Sequence, residues 1–159
     1  MVQQSMAEVP GRARRGRGWI VFGVIAAALI GFAVSIPIVN DAAARDVETR
    51  LLDLPIPEGA ERTTSMAKAG KIGGNGNGMQ YLGALLIRSD DGVEELQRFY
   101  SVQGEAAGLS ITVTPAEDLE EFHGASGFLA HPGEHGTFVV HAWGDGPGEV
   151  FEEFDIRGY

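Results

Sequence analysis

The distribution of apolar and polar positions divides the chain into a long apolar run and a region of shorter patterns. Residues 19–39 read WIVFGVIAAALIGFAVSIPIV, 21 residues without a charged side chain. At about 1.5 Å per helical residue, such a run spans the roughly 30 Å hydrocarbon core of a bilayer. A buried core helix of a soluble protein rarely has so long an uncharged stretch. The pattern therefore predicts a transmembrane helix over residues 19–39.

The charges on the two sides of this run predict an orientation. Residues 1–18 form a basic tail with four Arg and one Glu, whereas residues 41–159 contain eight Lys and Arg against 21 Asp and Glu, a net charge of −13. Because basic flanks stay in the cytoplasm, we expect a single-pass protein of the plasma (inner) membrane with a cytoplasmic N-terminus and an extracytoplasmic C-terminal domain. A cleaved signal peptide is the alternative, since Ala42 and Ala44 fit a cleavage site, but the apolar run is longer than signal peptides have.

Residues 40–57 follow the apolar run and predict a short helical stalk or linker. Their composition favours a helix, and Pro55 and Pro57 end it. Residues 58–159 then remain for one small extracytoplasmic domain. A chain of this size can bury a core of its own.

Within residues 58–159 the patterns alternate between strand and helix. Residues 79–87 carry apolar side chains on both faces, which predicts a central strand. The next segment predicts a helix that begins after Ser89 or Asp90 and Asp91 and ends at Gly104. Its apolar stripe consists of Val93, Leu96, Phe99 and Tyr100.

The remaining patterns predict further strands and one short acidic helix. The helix follows the capping box Thr114-Pro115-Ala116-Glu117. The strand candidates are residues 109–113, 127–131, 137–143 and 150–157. These elements predict an α+β fold, in which an N-terminal transmembrane helix precedes a small, mainly antiparallel sheet with one main helix packed on one face.

Residues 70–78 read GKIGGNGNG and could either bind phosphate or turn the chain. A phosphate-binding loop places Lys and Ser or Thr after its last glycine, at the start of a helix. Here Lys71 precedes most of the glycines, and a strand follows them. Asn-Gly pairs between two strands are typical of turns, because both residues tolerate positive φ. The stretch is therefore predicted to be a turn.

Three histidines form the candidate metal site. His131, His135 and His141 lie close together in the sequence, beside Glu134 and Asp145, and imidazole with carboxylate can bind Zn²⁺ or Cu²⁺. An even spacing places His135 and His141 on one side of a regular strand. The spacing matches no strong zinc motif, so a polar hairpin with a solvent-facing histidine is the favoured interpretation.

Other kinds of chemistry find little support in the residues. The chain has no cysteine, and no serine stands in a G-x-S-x-G motif. The acidic runs lack the ligand spacing of a calcium loop. The charge of residues 41–159 argues against binding to nucleic acid. No catalytic or cofactor-binding residue is predicted.

Small residues recur in the apolar run at Gly23, Ala27 and Gly31. A small residue at every fourth position lets two membrane helices approach closely. This spacing predicts helix association, either with a membrane-protein partner or in a homodimer.

Two stretches carry a loose family resemblance. LPIPEGAERTT reads as the entry to a first strand, and SDDGVEELQRFY as a helix that ends in Phe-Tyr. Both resemble segments of uncharacterised bacterial membrane-anchored proteins and lipoproteins. The resemblance covers residues 52–114 and implies a helix packed on a sheet. It implies no catalytic residue.

The sequence thus favours a non-enzymatic, membrane-anchored accessory or binding protein of the cell envelope, whose outer domain binds a protein or a wall component. The alternative is a metal-binding outer domain that uses the three histidines. An enzyme is the third hypothesis, because no nucleophile or acid–base set is recognisable.

Overall fold

The computed structural model describes residues 15–72, 78–121 and 135–155. The elements, in chain order, are α1 (Arg15–Leu52), β1 (Glu61–Gly70), β2 (Gln80–Arg88), α2 (Val93–Ala107), β3 (Ile111–Pro115), a 3₁₀ helix (Ala116–Glu121), β4 (Thr137–Gly144) and α3 (Glu149–Glu153). The chain divides into two units, residues 1–35 and residues 36–159.

The described part of the first unit is the N-terminal portion of α1. Its most apolar 18-residue window has a mean hydropathy of 2.5, and only 6% of that window is buried. The exposed large side chains include Trp19, Ile20, Phe22, Ile25, Leu29 and Ile30. Within the described residues, α1 is the one helix long and apolar enough to cross a membrane. The predicted apolar helix is confirmed at this level.

The second unit contains a four-stranded antiparallel sheet with the order β1-β2-β4-β3. β2 pairs with β1 on one side and β4 on the other, and every residue from Tyr81 to Ile87 is buried. The prediction of a central strand here is confirmed, because apolar residues on both faces fit a strand that is covered on both faces. The α+β class with an antiparallel sheet is confirmed as well.

One face of the sheet carries the main core. Alternate residues of β2 and β4 pack there against two helices, the second half of α1 and the whole of α2. The buried members are Val47, Leu51, Leu54, Leu85, Ile87, Leu96, Tyr100, Leu109, Ile111, Val113, Phe138, Val140 and Ala142. Burial of one such large side chain contributes about 1.5–3 kcal/mol. Two helices, α1 and α2, thus pack on this face of the sheet, whereas the sequence predicted one.

The second half of α1 lies so close to the sheet that only glycine fits beneath it. A Cβ added at Gly83 of β2 would lie 2.5 Å from the backbone nitrogen of Glu48 and 2.8 Å from the carbonyl carbon of Val47. On β4, a Cβ at Gly144 would collide with Cγ2 of Val47. The helical part of residues 40–57, predicted as a stalk or linker, is thus part of the core.

The predicted helix of the second unit is present but ends later than expected. It begins at Val93 after Gly92 and runs past Gly104 to Ala107, where Gly108 takes a left-handed conformation with φ 66°. A Cβ at Gly104 would lie 2.7 Å from Cδ1 of Ile111, so this glycine permits close packing and does not end the helix. The glycine that ends the helix is Gly108.

The strand predicted over residues 150–157 is wrong in its described part. Residues 149–153 form α3, and the N–H groups of Phe151 and Glu152 bond to the carbonyl of Gly148. This segment pairs with neither edge strand, β1 or β3, and satisfies its backbone N–H groups within a helical turn instead. The strands predicted at residues 109–113 and 137–143 correspond to β3 and β4, whereas residues 127–131 lie outside the described residues.

The close contact between α1 and β2 predicts that Gly83→Ala strongly destabilises the second unit. The added methyl group would force the α1 backbone away from the sheet, and overpacking of this kind typically costs about 1–3 kcal/mol. Urea denaturation of the full-length protein in detergent micelles measures the change, with Trp143 fluorescence as the signal in a Trp19→Phe background.

Gly78→Ala is the matched control, since a Cβ at Gly78 meets no described atom within 4 Å. We expect this control to change the unfolding free energy by less than about 0.5 kcal/mol. Equal stability of the Gly83 and Gly78 variants would contradict the close contact.

Candidate functional site

The candidate metal-binding histidines occupy very different environments. His141 lies within β4, opposite Ala84 of β2 and Thr112 of β3, and only 7% of its surface is exposed. His135 precedes β4, and its side chain is 98% exposed. His131 lies outside the described residues.

The strand geometry keeps His135 and His141 apart. Thr137 and His141 are separated by four strand steps, about 13 Å at roughly 3.3 Å per residue, and His135 lies before Thr137. Two nitrogens that bind the same Zn²⁺ lie within about 4 Å of each other, since each Zn–N bond is about 2 Å long. His135 lies in a turn before β4, so the predicted alignment along one strand does not hold, and the two residues are not brought together. Among the described residues, no group of three His, Asp or Glu side chains is placed to hold a metal ion.

His141 belongs to the interior of the sheet. Its ring packs edge-on against Trp143, with the ring centres 6.4 Å apart. Burial lowers the pKa of His141 from 6.5 to about 4, because the charged imidazolium loses its hydration. At neutral pH the side chain is therefore an uncharged part of the packed sheet.

His135 instead borders a pocket of about 490 Å³ where α2 begins and β3 ends. Its Nδ1 atom lies 3.8 Å from Oε2 of Glu117, and both side chains are more than half exposed, so the pair adds little stability. The pocket also carries Asp90 and Asp91, and the rest of its lining is Ser89, Val93, Pro115, Gly136, Thr137 and Phe138. This arrangement gives an open, acidic depression.

The glycine-rich stretch connects two neighbouring antiparallel strands. β1 ends at Gly70 and β2 begins at Gln80, so the chain reverses its direction between them. Residues 73–77 lie outside the described residues. A strand follows the glycines instead of the helix that a phosphate-binding loop requires, and the turn within residues 70–78 stays a prediction.

The small residues of the apolar run lie on the exposed surface of α1. Gly23, Ala27 and Gly31 are all exposed. A Cβ added at Gly23 or Gly31 meets no described atom within 4 Å. This part of the helix therefore has the space that close helix approach requires.

A buried polar cluster links α1, β2 and the segment after α3. The Nδ2 group of Asn40 donates hydrogen bonds to the carbonyl of Phe151 at 2.8 Å and to Oδ2 of Asp155 at 2.7 Å. The Oδ1 atom of Asn40 accepts a hydrogen bond from the Tyr81 hydroxyl at 2.9 Å. Asn40, Tyr81 and Asp155 are each at most 2% exposed. We call these three residues the polar tie.

The hydrogen bonds of the polar tie hold α1, β2 and the segment after α3 together. Burial, and after it the charges of Glu152 and Asp155, raises the pKa of Tyr81 to about 12, so the phenol keeps its proton and donates a hydrogen bond to Oδ1 of Asn40. Asn40 follows the apolar run directly, and this placement is the one sequence signal that could have indicated the cluster. Its partner Asp155 is far away in the sequence and could not have been found from spacing.

A second depression runs along β1. It has a volume of about 520 Å³, and Asp41, Ala44, Arg45 and Glu48 of α1 form one wall. Ser65, Met66, Ala67, Lys68 and Ala69 of β1 form the other wall. We call it the α1–β1 groove. Small side chains and mixed charges line it, which suits a polypeptide better than a metal ion.

No protein-family model, curated protein or solved structure matches this chain. The resemblance to bacterial membrane-anchored proteins stays a prediction. The function is therefore argued from the residues of this chain.

The lowered pKa of His141 predicts a specific dependence of stability on pH. Between pH 6.5 and about 4 the unfolded chain binds a proton at His141 that the folded chain does not bind, so the unfolding free energy falls as the pH is lowered through this range. The loss at pH 4 is on the order of 2–3 kcal/mol.

Urea denaturation of the full-length protein at several pH values, compared with His141→Gln, isolates this contribution. We expect the variant to lose less stability on acidification, and the exposed His135→Gln to behave like the parent protein. Parallel pH profiles for the parent and His141→Gln would show that burial of His141 does not cause the effect.

Proposed function

We propose that the protein is a single-pass membrane protein of the cell envelope whose outer unit is a non-enzymatic binding or accessory module. One observation carries the proposal. The apolar part of α1 exposes its large side chains, with only 6% of its most apolar window buried, and the same helix continues into a folded acidic unit. A bilayer is the environment in which such side chains are stable.

The orientation follows from the charges. Residues 1–18 are basic, whereas residues 41–159 carry a net charge of −13. The positive-inside rule then places the N-terminus in the cytoplasm and the outer unit, residues 36–159, outside. The acidic surface of that unit disfavours nucleic acid and anionic lipid, and it leaves a protein or a wall component as the partner.

Cysteine labelling tests the topology, since the natural chain contains no cysteine. Ser5→Cys and Ser110→Cys, produced separately as full-length proteins in bacterial cells, carry one thiol on each side of the apolar run. We expect a membrane-impermeant maleimide to label Ser110→Cys in intact cells, and both variants only after lysis.

Both proteins should also remain in the membrane fraction after washing at alkaline pH. Labelling of Ser5→Cys alone in intact cells would reverse the orientation. Release of the chain into the soluble fraction would contradict the anchor.

We further propose that the face with Gly23, Ala27 and Gly31 binds another membrane helix, from a second copy or from a partner protein. Small side chains let the backbones come close, and close packing is the main attraction between helices in lipid. A Gly23→Leu, Gly31→Leu double variant should therefore lose the association, measured by chemical crosslinking in membranes.

Ala33→Leu is the matched control. Ala33 is also small and exposed, but at 100° per residue it lies about 120° around the helix from Ala27, the middle residue of that face. Loss of crosslinking in this control as well would show that the glycine face is not the contact.

A further inference from the structure

The two edges of the sheet differ in how their backbone groups are satisfied. On the β3 edge, the side-chain amide of Gln97 from α2 takes the place of a neighbouring strand. Its Nε2 donates to the carbonyl of Ile111 at 2.9 Å, and its Oε1 accepts from the N–H of Val113 at 2.8 Å. β3 is also only five residues long and ends at Pro115. This edge is closed to a further strand.

The β1 edge has none of these protections among the described residues. β1 is ten residues long and contains no proline. One irregularity, between Arg62 and Thr64, precedes an unbroken run from Thr64 to Gly70. In an antiparallel pair about half of the backbone groups of an edge strand point away from its partner. No described residue bonds to the outward groups of β1.

The surroundings of β1 leave room for another strand. Between Thr63 and Gly70 the side chains are small or flexible, and Lys68 is the single charged residue there. The α1–β1 groove of about 520 Å³ lies beside the same residues, on the side where Ala67 and Ala69 pack towards Ala44. Alternate side chains of an added strand would enter this groove.

The charge of the outer unit decides which kind of strand fits. A second copy of β1 would bring together two units that each carry a net charge of −13, which is unfavourable. In the groove, Arg45 lies 4.0 Å from Asp41, Glu48 is the second carboxylate of the α1 wall, and Lys68 belongs to the β1 wall. A basic segment is attracted by the unit as a whole and meets a carboxylate locally.

We propose that the outer edge of β1 binds an extended, basic segment of a partner protein by β-strand addition. Backbone hydrogen bonds to Thr64–Gly70 hold the segment, and a Lys or Arg side chain of the segment lies in the groove beside Glu48. This proposal rests on the proposed function, because it names the class of partner that the outer unit binds.

The test uses ¹⁵N-labelled full-length protein in detergent micelles and an acetylated, amidated peptide of sequence Lys-Val-Thr-Val-Lys-Val-Thr-Val. We expect the peptide to shift the amide resonances of residues 63–70 and to leave those of residues 111–114 in place. The same peptide with N-methyl groups on its two central residues lacks one N–H on each edge. It should bind at least about tenfold more weakly.

Charge variants test the contact in the groove. Glu48→Gln should weaken binding of the basic peptide at least about threefold, whereas Glu94→Gln on the exposed surface of α2 should not change it. A peptide with Glu in place of Lys should bind more weakly than the basic peptide to the parent protein and to both Gln variants. Equal effects of the two Gln substitutions would overturn the assignment of the cation to the groove.

Three results would overturn the proposal as a whole. One is the absence of shifts at residues 63–70 with about 1 mM peptide, a concentration that detects even weak binding. Another is equal binding of the N-methylated peptide. The third is concentration-dependent shifts of residues 63–70 without any peptide, which would assign the edge to a second copy. If the peptide fails to bind but the cysteine labelling holds, only this proposal fails and the membrane topology stands.

Discussion

The close contact of the second half of α1 with the sheet is the constraint on which the second unit, residues 36–159, depends. Side chains normally separate the backbones of two packed layers, which lie about 10 Å apart in stacked sheets. At Gly83 and Gly144 there is no such side chain, so the α1 backbone comes down onto β2 and β4. Val47 and Leu51 thereby reach the core, where they are at most 2% exposed. Without this approach the main face of the sheet would be covered by α2 alone.

Polar contacts then fix where α1 lies along the sheet. Apolar packing is strong but tolerates sliding, whereas a buried amide must meet particular partners. Asn40 finds Tyr81 and Asp155 at one end of the segment. About three turns later, Arg50 donates hydrogen bonds to the carbonyls of Ala107 and Gly108, which close the C-terminal end of α2. The two sets of contacts join α1 to the sheet and to the second helix.

The residue patterns predicted the local elements well and the long-range contacts poorly. The apolar run, the central strand and the stripe of α2 depend on neighbouring residues, so periodicity was enough to find them. The packing of residues 40–52 depends on Gly83, which in the sequence is an unremarkable glycine within a strand. The same limit applies to the sites. The even spacing predicted His135 and His141 on one side of a strand, but it did not give the distance between them.

The charge of the second unit and the open edge of its sheet fit together physically. A long unprotected edge strand is normally a hazard, because a second copy can pair with it and start aggregation. Many proteins protect such an edge with charged side chains on the edge strand itself. Between Thr63 and Gly70, however, this chain has only Lys68. The net charge of −13 keeps copies apart at a distance instead, and this repulsion does not act on a basic segment. Under the proposed strand addition, the unit can leave β1 open to a partner of opposite charge while its own charge opposes self-association.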